Sequence, residues 1–332
     1  MRDVVVGNRI DQYLVTELLA RGGMASVFKA TDGDTGALVV LKVPHVQYES
    51  DVVFYERFRR EEEIGRRIQH PNVVRILEPR EKSRMYMAME YVEGRTLSAI
   101  LREARPLPVQ GALEIARQVC DALACLHAHG VVHRDIKPDN IHVTSTGRVK
   151  ILDFGIALLE SARRLTWAGL SHAIGTPEYM APEQIRGRRG DARTDVYALG
   201  TMLYEMLTGR LPYEAESSGS LLAKKPAADP PPPSAHVPGF DPALEAVIMR
   251  AIERDPRDRF SCASDLLAAL RDPASAETVG RAVRPRRRAP HRRVTSTIVL
   301  AATLAAIGAL AWLSAPARVP PRPAQVAGDG AR

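Results

Sequence analysis

The sequence predicts an α+β protein with two lobes, a small antiparallel β-sheet lobe with one helix and a larger, mainly α-helical lobe, followed by a linker and one transmembrane helix. Three observations predict this. Residues 13–43 alternate apolar and polar positions between turn residues, as short strands do. After residue 97 the apolar positions recur at helical spacing. Residues 294–317 are an apolar segment without a charged residue, and about 20 such residues span a bilayer.

The elements follow in chain order. Strands are predicted at residues 13–20, 26–32 and 37–43, with a turn at residues 33–36. Residues 51–69 predict a charged helix that ends at His70 and Pro71, and two further strands follow at 73–78 and 85–92. Helices are predicted at residues 109–129, 194–208, 242–253 and 263–270.

Composition fits a globular chain of 332 residues, with 45% hydrophobic and 26% charged residues. Its three cysteines, an odd number without metal-ligand spacing, favour a reduced compartment. The net charge of +7 is local, because seven arginines and no acid lie in residues 281–293. A basic run beside an apolar segment favours a membrane surface over nucleic acid. Nucleic-acid binding through that run stays an open, less favoured alternative.

Composition also divides the chain. We expect an N-terminal extension at 1–12, a main domain at 13–271 with lobes at 13–90 and 93–271, an Arg/Pro-rich linker at 272–293, a transmembrane helix at 294–317 and a short extracytoplasmic tail at 318–332. Arg292 and Arg293 place the main domain on the cytoplasmic side, and a single-pass protein of the inner (plasma) membrane is expected. A buried C-terminal helix is the alternative for this segment. Its small residues, such as Gly308, leave a homodimer open.

The strongest chemical signal is the string HRDIKPDN at residues 133–140, followed by a second carboxylate, Asp153. Phosphoryl transfer needs a carboxylate to orient the nucleophilic hydroxyl and oxygen ligands to hold a metal ion. Asp135 suits the first role, as the catalytic carboxylate. Asn140 and Asp153 suit metal binding, and Lys137 could neutralise charge on the transferred group.

The strings HRDIKPDN and GTPEYMAPE resemble those of the eukaryotic-type (Hanks-type) protein kinase family, in its bacterial serine/threonine branch. The resemblance covers about residues 13–271. It implies the bilobal protein kinase fold, ATP with Mg²⁺ or Mn²⁺ as cofactors, and protein substrates with serine or threonine acceptors. By the same resemblance, Lys137 and Thr176 favour these acceptors over tyrosine.

Further residues match the family pattern in order. Lys42, in the strand-like run VVLK, corresponds to the lysine that holds the α- and β-phosphates, and Glu61 to its ion-pair partner. The resemblance also implies that Glu183 pairs with Arg259 and that Asp195 caps the catalytic loop, residues 133–140. Residues 175–183 correspond to the segment that supports the acceptor peptide, which we call the peptide platform.

The phosphate loop, residues 19–27, departs from the family pattern. Only Gly22 keeps a family glycine, while Ala20 and Ala25 replace the outer two. Because alanine lacks the positive-φ freedom of glycine, a stiffer loop or weaker nucleotide affinity is expected. The predicted nucleotide-binding residues are Leu19, Ala20, Arg21, Gly22, Gly23, Met24, Ala25, Ser26, Val27, Val40, Lys42, Met89, Glu90 and Val92.

Residues 156–174 carry hydroxyl groups, of which Thr166 and Ser171 are candidates for autophosphorylation, with Arg134 as partner for the phosphate. Two other functions stay open beside an active protein kinase. A membrane-anchored pseudokinase or nucleotide-binding scaffold is suggested by Ala20 and Ala25, and a small-molecule kinase would lack the peptide platform. The complete catalytic set and the platform favour the protein kinase.

Overall fold

The computed structural model describes residues 3–153 and 177–275. These residues form a β-sheet lobe followed by a helical lobe, as the sequence predicts. The candidate phosphorylation sites Thr166 and Ser171 lie outside the described residues, as do the predicted transmembrane helix at 294–317 and the tail. Within residues 3–153 and 177–275, no helix is long and apolar enough to cross a membrane.

The first lobe contains an antiparallel sheet of six strands in the order β1-β2-β3-β4-β6-β5. Side chains of β3 alternate between buried and half-buried positions, so one face packs on the core of the lobe. The strands are β1 (Arg9–Ile10), β2 (Tyr13–Arg21), β3 (Ala25–Asp32), β4 (Leu38–Pro44), β5 (Ile76–Leu77) and β6 (Met87–Glu90).

Two helices, α1 (Val46–Glu49) and α2 (Val52–Arg67), follow β4. The Asp51 side chain caps α2 by accepting hydrogen bonds from the N–H groups of Val53 and Phe54, at 2.9 and 3.1 Å. Phe58 is buried on the inner face of α2, three residues before the buried Glu61. This helix therefore carries Glu61 toward β4.

A second sheet joins the lobes. It is antiparallel, in the order β7-β8-β9, with β7 at Arg95–Thr96, β8 at Ile141–Val143 and β9 at Val149–Ile151. Asn72, which follows α2, accepts a hydrogen bond from Ile151 N at 2.9 Å, and Val74 N donates to Ile151 O at 2.9 Å. The end of β9, and with it Asp153, is thereby tied to the first lobe.

Helix α6 (Ala192–Thr208) is the centre of the helical lobe, since every residue from Thr194 to Thr208 is buried. Asp191 caps its start, and Gly209 ends it at φ +71°. The helices of this lobe are α3 (Leu97–Glu103), α4 (Val109–Ala128), α5 (Pro182–Ile185), α6 (Ala192–Thr208), α7 (Ser218–Lys224), α8 (Pro242–Ala251) and α9 (Ala263–Arg271), with 3₁₀ turns at Pro138–Asn140, Pro233–Ala235 and Pro256–Asp258.

The sequence patterns missed several short elements. Strand β1, which lies in the predicted N-terminal extension, pairs with β2. The strand predicted at 73–78 is reduced to Ile76–Leu77. Some elements are too short to show a recognisable apolar periodicity in the sequence, namely helices α1 and α7 and strands β7 to β9. The predicted helix at 242–253 ends two residues early, at Ala251, because Ile252 leaves the helical conformation.

Candidate active site

Lys42 lies between two carboxylates that come from other elements. Its Nζ is 3.1 Å from Glu61 Oε1 on α2 and 3.0 Å from each carboxylate oxygen of Asp153. Glu61 is buried, at 1% exposure. The ion pair that the resemblance implies between Lys42 and Glu61 is present, and Asp153 extends it to a group of three charges, which we call the lysine cluster.

The charges of the lysine cluster depend on one another. Burial disfavours the ammonium form of Lys42, but the charges of Asp153 and Glu61 outweigh it and raise its pKa. Burial also disfavours ionised Asp153, yet the Lys42 ammonium lowers the pKa of this carboxyl. Burial raises the pKa of Glu61, and Asp153 adds to the shift while Lys42 opposes it. Asp153 is therefore the carboxylate that keeps its charge most strongly.

Asp135 lies in the catalytic loop with two donors on one carboxylate oxygen. Lys137 Nζ is 2.8 Å and Asn140 Nδ2 is 3.0 Å from Asp135 Oδ2. Asn140 Nδ2 also donates to the Asp135 carbonyl oxygen at 2.8 Å. The three side chains that the sequence singled out in this loop are thus in direct contact. Within residues 3–153 and 177–275, no donor contacts Asp135 Oδ1.

A buried carboxylate fixes the backbone of the catalytic loop. Asp195, at 0% exposure, accepts hydrogen bonds from His133 N at 2.9 Å and Arg134 N at 2.6 Å. His127 Nε2 lies 2.8 Å from Asp195 Oδ2. Arg134 has φ +66°, which is uncommon for a residue other than glycine. Asp195 therefore holds a strained turn directly before Asp135.

The metal-binding candidates are linked through the backbone, since Leu152 N donates to Asn140 O at 2.9 Å. Magnesium in phosphoryl-transfer sites is held by one or two protein oxygens together with phosphate and water. The carboxylate of Asp153 and the amide oxygen of Asn140 are donors of this kind. In residues 3–153 and 177–275, no group of three or more His, Cys, Asp or Glu side chains could hold a metal ion.

The phosphate loop, residues 19–27, contains no residue with left-handed backbone conformation. Among the described residues, positive φ at a non-glycine position occurs at Asp11 and Arg134, not at Ala20 or Ala25. Ala20 pairs with Val27 across β2 and β3. The two alanines therefore occupy backbone that alanine adopts without strain.

His45 supports the tip of the phosphate loop. Its backbone N–H donates to Met24 O at 2.9 Å, and its Nε2 lies 3.1 Å from the Ser26 hydroxyl. Ser26 is buried, at 8% exposure. One residue from outside the loop thus contacts its turn through the backbone and its second strand through the side chain.

The predicted adenine site lies at the end of β6. Met89 is buried at 7% exposure, and Val40 of β4 pairs with it. The Glu90 carboxylate binds Lys150 Nζ and accepts a hydrogen bond from Arg75 N at 2.9 Å. The Glu90 side chain is therefore used within the protein, and its backbone is the part expected to meet a nucleotide.

The described part of the peptide platform, residues 177–183, is anchored by charged groups. Arg259 and Glu183 form two parallel hydrogen bonds, at 2.7 and 2.8 Å, and both residues are buried. Arg259 lowers the pKa of Glu183 although burial opposes this shift. The Glu183–Arg259 pairing that the family resemblance implies is therefore present. Tyr179 of the platform also donates a hydrogen bond from its hydroxyl group to Glu205 on α6.

Sequence reasoning missed three residues near the site. Gln184 Nε2 donates to Arg134 O at 2.9 Å, and its Oε1 accepts from Ala181 N at 2.9 Å, so Gln184 joins the platform to the catalytic loop. His45 supports the phosphate loop, and Lys225 contacts the platform. None belongs to a motif, and Lys225 follows another lysine, Lys224, that is exposed.

A two-lobed fold with an ion pair between Lys42 and the buried Glu61, a catalytic loop whose backbone is bound by Asp195, and an anchored platform defines a protein kinase domain. Residues 13–269 match the sequence profile of the family described as Protein kinase domain. The chain belongs to the protein kinase family.

Two of its curated relatives are bacterial kinases. The chain is 39% identical over 312 residues to "Serine/threonine-protein kinase pkn3" of Myxococcus xanthus, which covers 90% of this chain and 56% of that protein. It is 38% identical over 267 residues to "Serine/threonine-protein kinase PknB" of Mycobacterium leprae, which covers 78% of this chain and 42% of that protein. The chain thus spans about half the length of these relatives.

A solved structure agrees with the fold. The PknI kinase domain of Mycobacterium tuberculosis superposes with a TM-score of 0.64 at 28% sequence identity, over 82% of this chain and 100% of that chain. The likeness covers both lobes, so the bilobal protein kinase fold predicted from the sequence is confirmed.

Proposed function

We propose that this chain is an ATP-dependent protein serine/threonine kinase that transfers the γ-phosphoryl group of ATP to serine and threonine hydroxyls of proteins. One observation carries the proposal. The fold joins Lys42 and Glu61 of the first lobe to the catalytic loop through Asp153, which contacts Lys42 Nζ at 3.0 Å. The preceding residue, Leu152, donates its backbone N–H to Asn140 O at 2.9 Å. Phosphoryl transfer depends mainly on such positioning of charges.

Asp135 is the proposed catalytic base. The substrate oxygen forms a bond to the γ-phosphorus, its proton passes to Asp135, and the bond to the bridging oxygen breaks to leave ADP. Lys137 and Asn140 both occupy Oδ2 of Asp135, so we expect the substrate hydroxyl to meet Oδ1. Lys137 also places a positive charge beside the transferred group.

Lys42 is the proposed ligand of the nucleotide phosphates. Mg²⁺ or Mn²⁺, when bound, neutralises charge on the phosphates, and Asn140 and Asp153 would hold it. Lys42 is bound to both Asp153 oxygens, and we expect it to exchange this contact for the phosphates while Glu61 keeps it in place. The buried Glu61 has no comparable access to a ligand.

Incubation of the full chain with labelled ATP, Mg²⁺ or Mn²⁺ and dephosphorylated casein tests the proposal. Loss of a general base typically lowers turnover by about 10²- to 10⁴-fold, which is the expected effect of Asp135→Asn. Lys42→Met should also abolish transfer. Asp258→Asn and Lys224→Met, which change exposed charges of the helical lobe, are the matched controls. Equal labelling by the parent and both active-site variants would overturn the proposal, and ATP binding by the parent without transfer would identify a scaffold instead.

Autophosphorylation of Thr166 or Ser171 is part of the proposal. Its support is the presence of both hydroxyls in a segment with Arg163 and Arg164, together with Arg134 beside the catalytic base. Phosphopeptide mapping of the parent after incubation with ATP should find phosphate on one of the two. An active enzyme whose segment stays unmodified would contradict this step.

Membrane attachment through residues 294–317 is likewise proposed, with the kinase domain in the cytoplasm and the span in the inner membrane. The uncharged apolar segment and its basic N-terminal flank support it. The full chain should stay with membranes after alkaline extraction, and a chain ending at residue 293 should not. Cross-linking in membranes, compared between the two chains, tests whether the segment also forms a homodimer.

A further inference from the structure

Lys225 is a fully buried lysine that binds backbone oxygens. It has 0% exposure and follows helix α7. Its Nζ donates to Pro177 O at 3.0 Å, to Met180 O at 2.9 Å and to Glu178 O. All three oxygens belong to the peptide platform, so one side chain from the helical lobe binds three backbone carbonyls within residues 177–180.

The three acceptors match the chemistry of an ammonium group. A protonated lysine has three N–H donors and no acceptor, and each donor here meets one carbonyl oxygen. The Tyr197 ring adds a cation–π contact, with its centroid 5.4 Å from Nζ. Burial lowers the pKa of Lys225 to about 7, and the nearby Glu178 carboxylate opposes the shift. The carbonyls thus hold a cation that burial alone would disfavour.

The backbone held by Lys225 leads directly to the catalytic loop. Beyond Met180, Ala181 N donates to Gln184 Oε1 at 2.9 Å, and Gln184 Nε2 donates to Arg134 O at 2.9 Å. Between the carbonyls bound by Lys225, Tyr179 turns its side chain to Glu205. A shift of residues 177–180 would therefore move the platform relative to Asp135.

We propose that Lys225 is a positioning residue for the acceptor peptide, whose ammonium group holds residues 177–180 in the conformation that receives the substrate. The proposal rests on the proposed kinase function. It gives Lys225 no contact with ATP, because its contacts lie on the platform side of the catalytic loop. A loss of Lys225 should thus act on the peptide and spare the nucleotide.

Steady-state kinetics of the full chain test the proposal, with an acceptor peptide selected by the parent from a serine/threonine peptide library. Lys225→Met keeps an unbranched side chain, one atom shorter than that of lysine, and removes all three donors. We expect the peptide KM to rise about tenfold or more, since one hydrogen bond to a charged donor is typically worth that factor. The ATP KM and the affinity for a fluorescent ATP analogue should stay within about twofold, inside the spread of near-neutral surface changes.

Two further variants complete the test. Lys225→Gln keeps two N–H donors and should give a peptide KM between those of the parent and Lys225→Met. Lys224→Met changes the exposed neighbour, whose Nζ binds Glu214 O at 3.0 Å, and should match the parent. If Lys225→Met does not fold, the same comparison is made with Lys225→Gln. A raised peptide KM with an unchanged ATP KM then supports the proposal.

The outcomes separate the two claims. No transfer by the parent to any acceptor contradicts the kinase function itself. Transfer by the parent with an unchanged peptide KM in the folded variants overturns the role of Lys225. Equal losses for peptide and ATP, or failure of both Lys225 variants to fold, also overturn it, because they would show a residue that serves the fold as a whole.

Discussion

The nucleotide half and the acceptor half of the site are held in place by different kinds of contact. The nucleotide half consists of the lysine cluster and the phosphate loop, and side chains from separate elements hold Lys42. The acceptor half consists of the catalytic loop and the platform, and buried side chains bind its backbone directly. Ion pairs between side chains can be remade when a ligand arrives. A buried backbone group that loses its partner has no replacement.

This difference predicts where each half is vulnerable. Changes in the acceptor half should cost stability as well as activity, because its contacts also satisfy buried polar groups. Changes in the nucleotide half should alter ATP kinetics and leave the fold largely intact. Four substitutions test this contrast, and they follow in decreasing order of expected effect.

Asp195→Ala should have the largest effect. It leaves the N–H groups of His133 and Arg134 without their acceptor, and a buried donor without a partner costs about 1–3 kcal/mol. We expect the free energy of unfolding in urea to fall by about 3 kcal/mol or more, from two such groups, and phosphoryl transfer to be lost. Asp195→Asn keeps one acceptor oxygen and should lose less. If the urea midpoint of Asp195→Ala equalled that of the parent, the acceptor half would not depend on these contacts for stability. The contrast between the two halves would then be wrong.

Glu61→Gln should reduce activity strongly with little change in stability. Lys42 keeps Asp153 as a partner, but its ammonium is no longer drawn toward α2 and competes with metal at Asp153. Removing a group that orients an active-site residue typically costs about 10- to 100-fold, and we expect kcat/KM to fall by that factor. Glu63→Gln, an exposed carboxylate of the same helix, is the control. If Glu61→Gln lowered the urea midpoint as far as Asp195→Ala does, the proposed contrast in stability between the two halves would be wrong.

The sequence predicted those parts of the site that motifs mark. Lys42, Glu61, Asp135, Asn140 and Asp153 stand in recognisable strings or at a family position. The structure places them in two contact groups, the lysine cluster and the Asp135–Asn140 pair, which the Leu152–Asn140 backbone hydrogen bond connects. Their roles in binding and catalysis stay predictions until the kinetic tests are made. The fold class followed from the change of apolar period near residue 97.

Contacts without a local pattern could not be predicted. Lys225 and Lys224 are adjacent and chemically identical, yet one is fully buried and the other exposed. Their difference depends on where the chain 45 or more residues earlier places its carbonyl oxygens. The contact between His45 and Ser26 is of the same kind, because it requires the pairing of β3 with β4. Tertiary packing alone decides such contacts.

His45→Ala should have a moderate effect that is confined to ATP. It removes the contact of Nε2 with the Ser26 hydroxyl but keeps the backbone bond to Met24. A neutral hydrogen bond is worth about 0.5–1.5 kcal/mol, so the ATP KM should rise about two- to tenfold with the peptide KM unchanged. Ser26→Ala should have the same effect, and the double variant should add nothing to it. Additive effects would show that the two side chains act independently.

Ala20→Gly should have the smallest effect, and it tests whether the phosphate loop suffers from its missing glycines. Ala20 lies in extended backbone paired with Val27. Alanine adopts this conformation as readily as glycine, so the added freedom of glycine is not needed here. We expect the ATP KM to stay within about twofold, while the greater freedom of unfolded glycine lowers the free energy of unfolding by about 0.5–1 kcal/mol.

Gly22→Ala is the matched control for this loop, because an added Cβ would lie 3.2 Å from Ala25 O, closer than ordinary contact. It should raise the ATP KM more than Ala20→Gly changes it. If instead Ala20→Gly lowered the ATP KM severalfold, the nucleotide would need a loop conformation that alanine resists. The contacts of His45 would then hold the loop in a form less suited to ATP, and the loss of outer glycines would be a cost to binding.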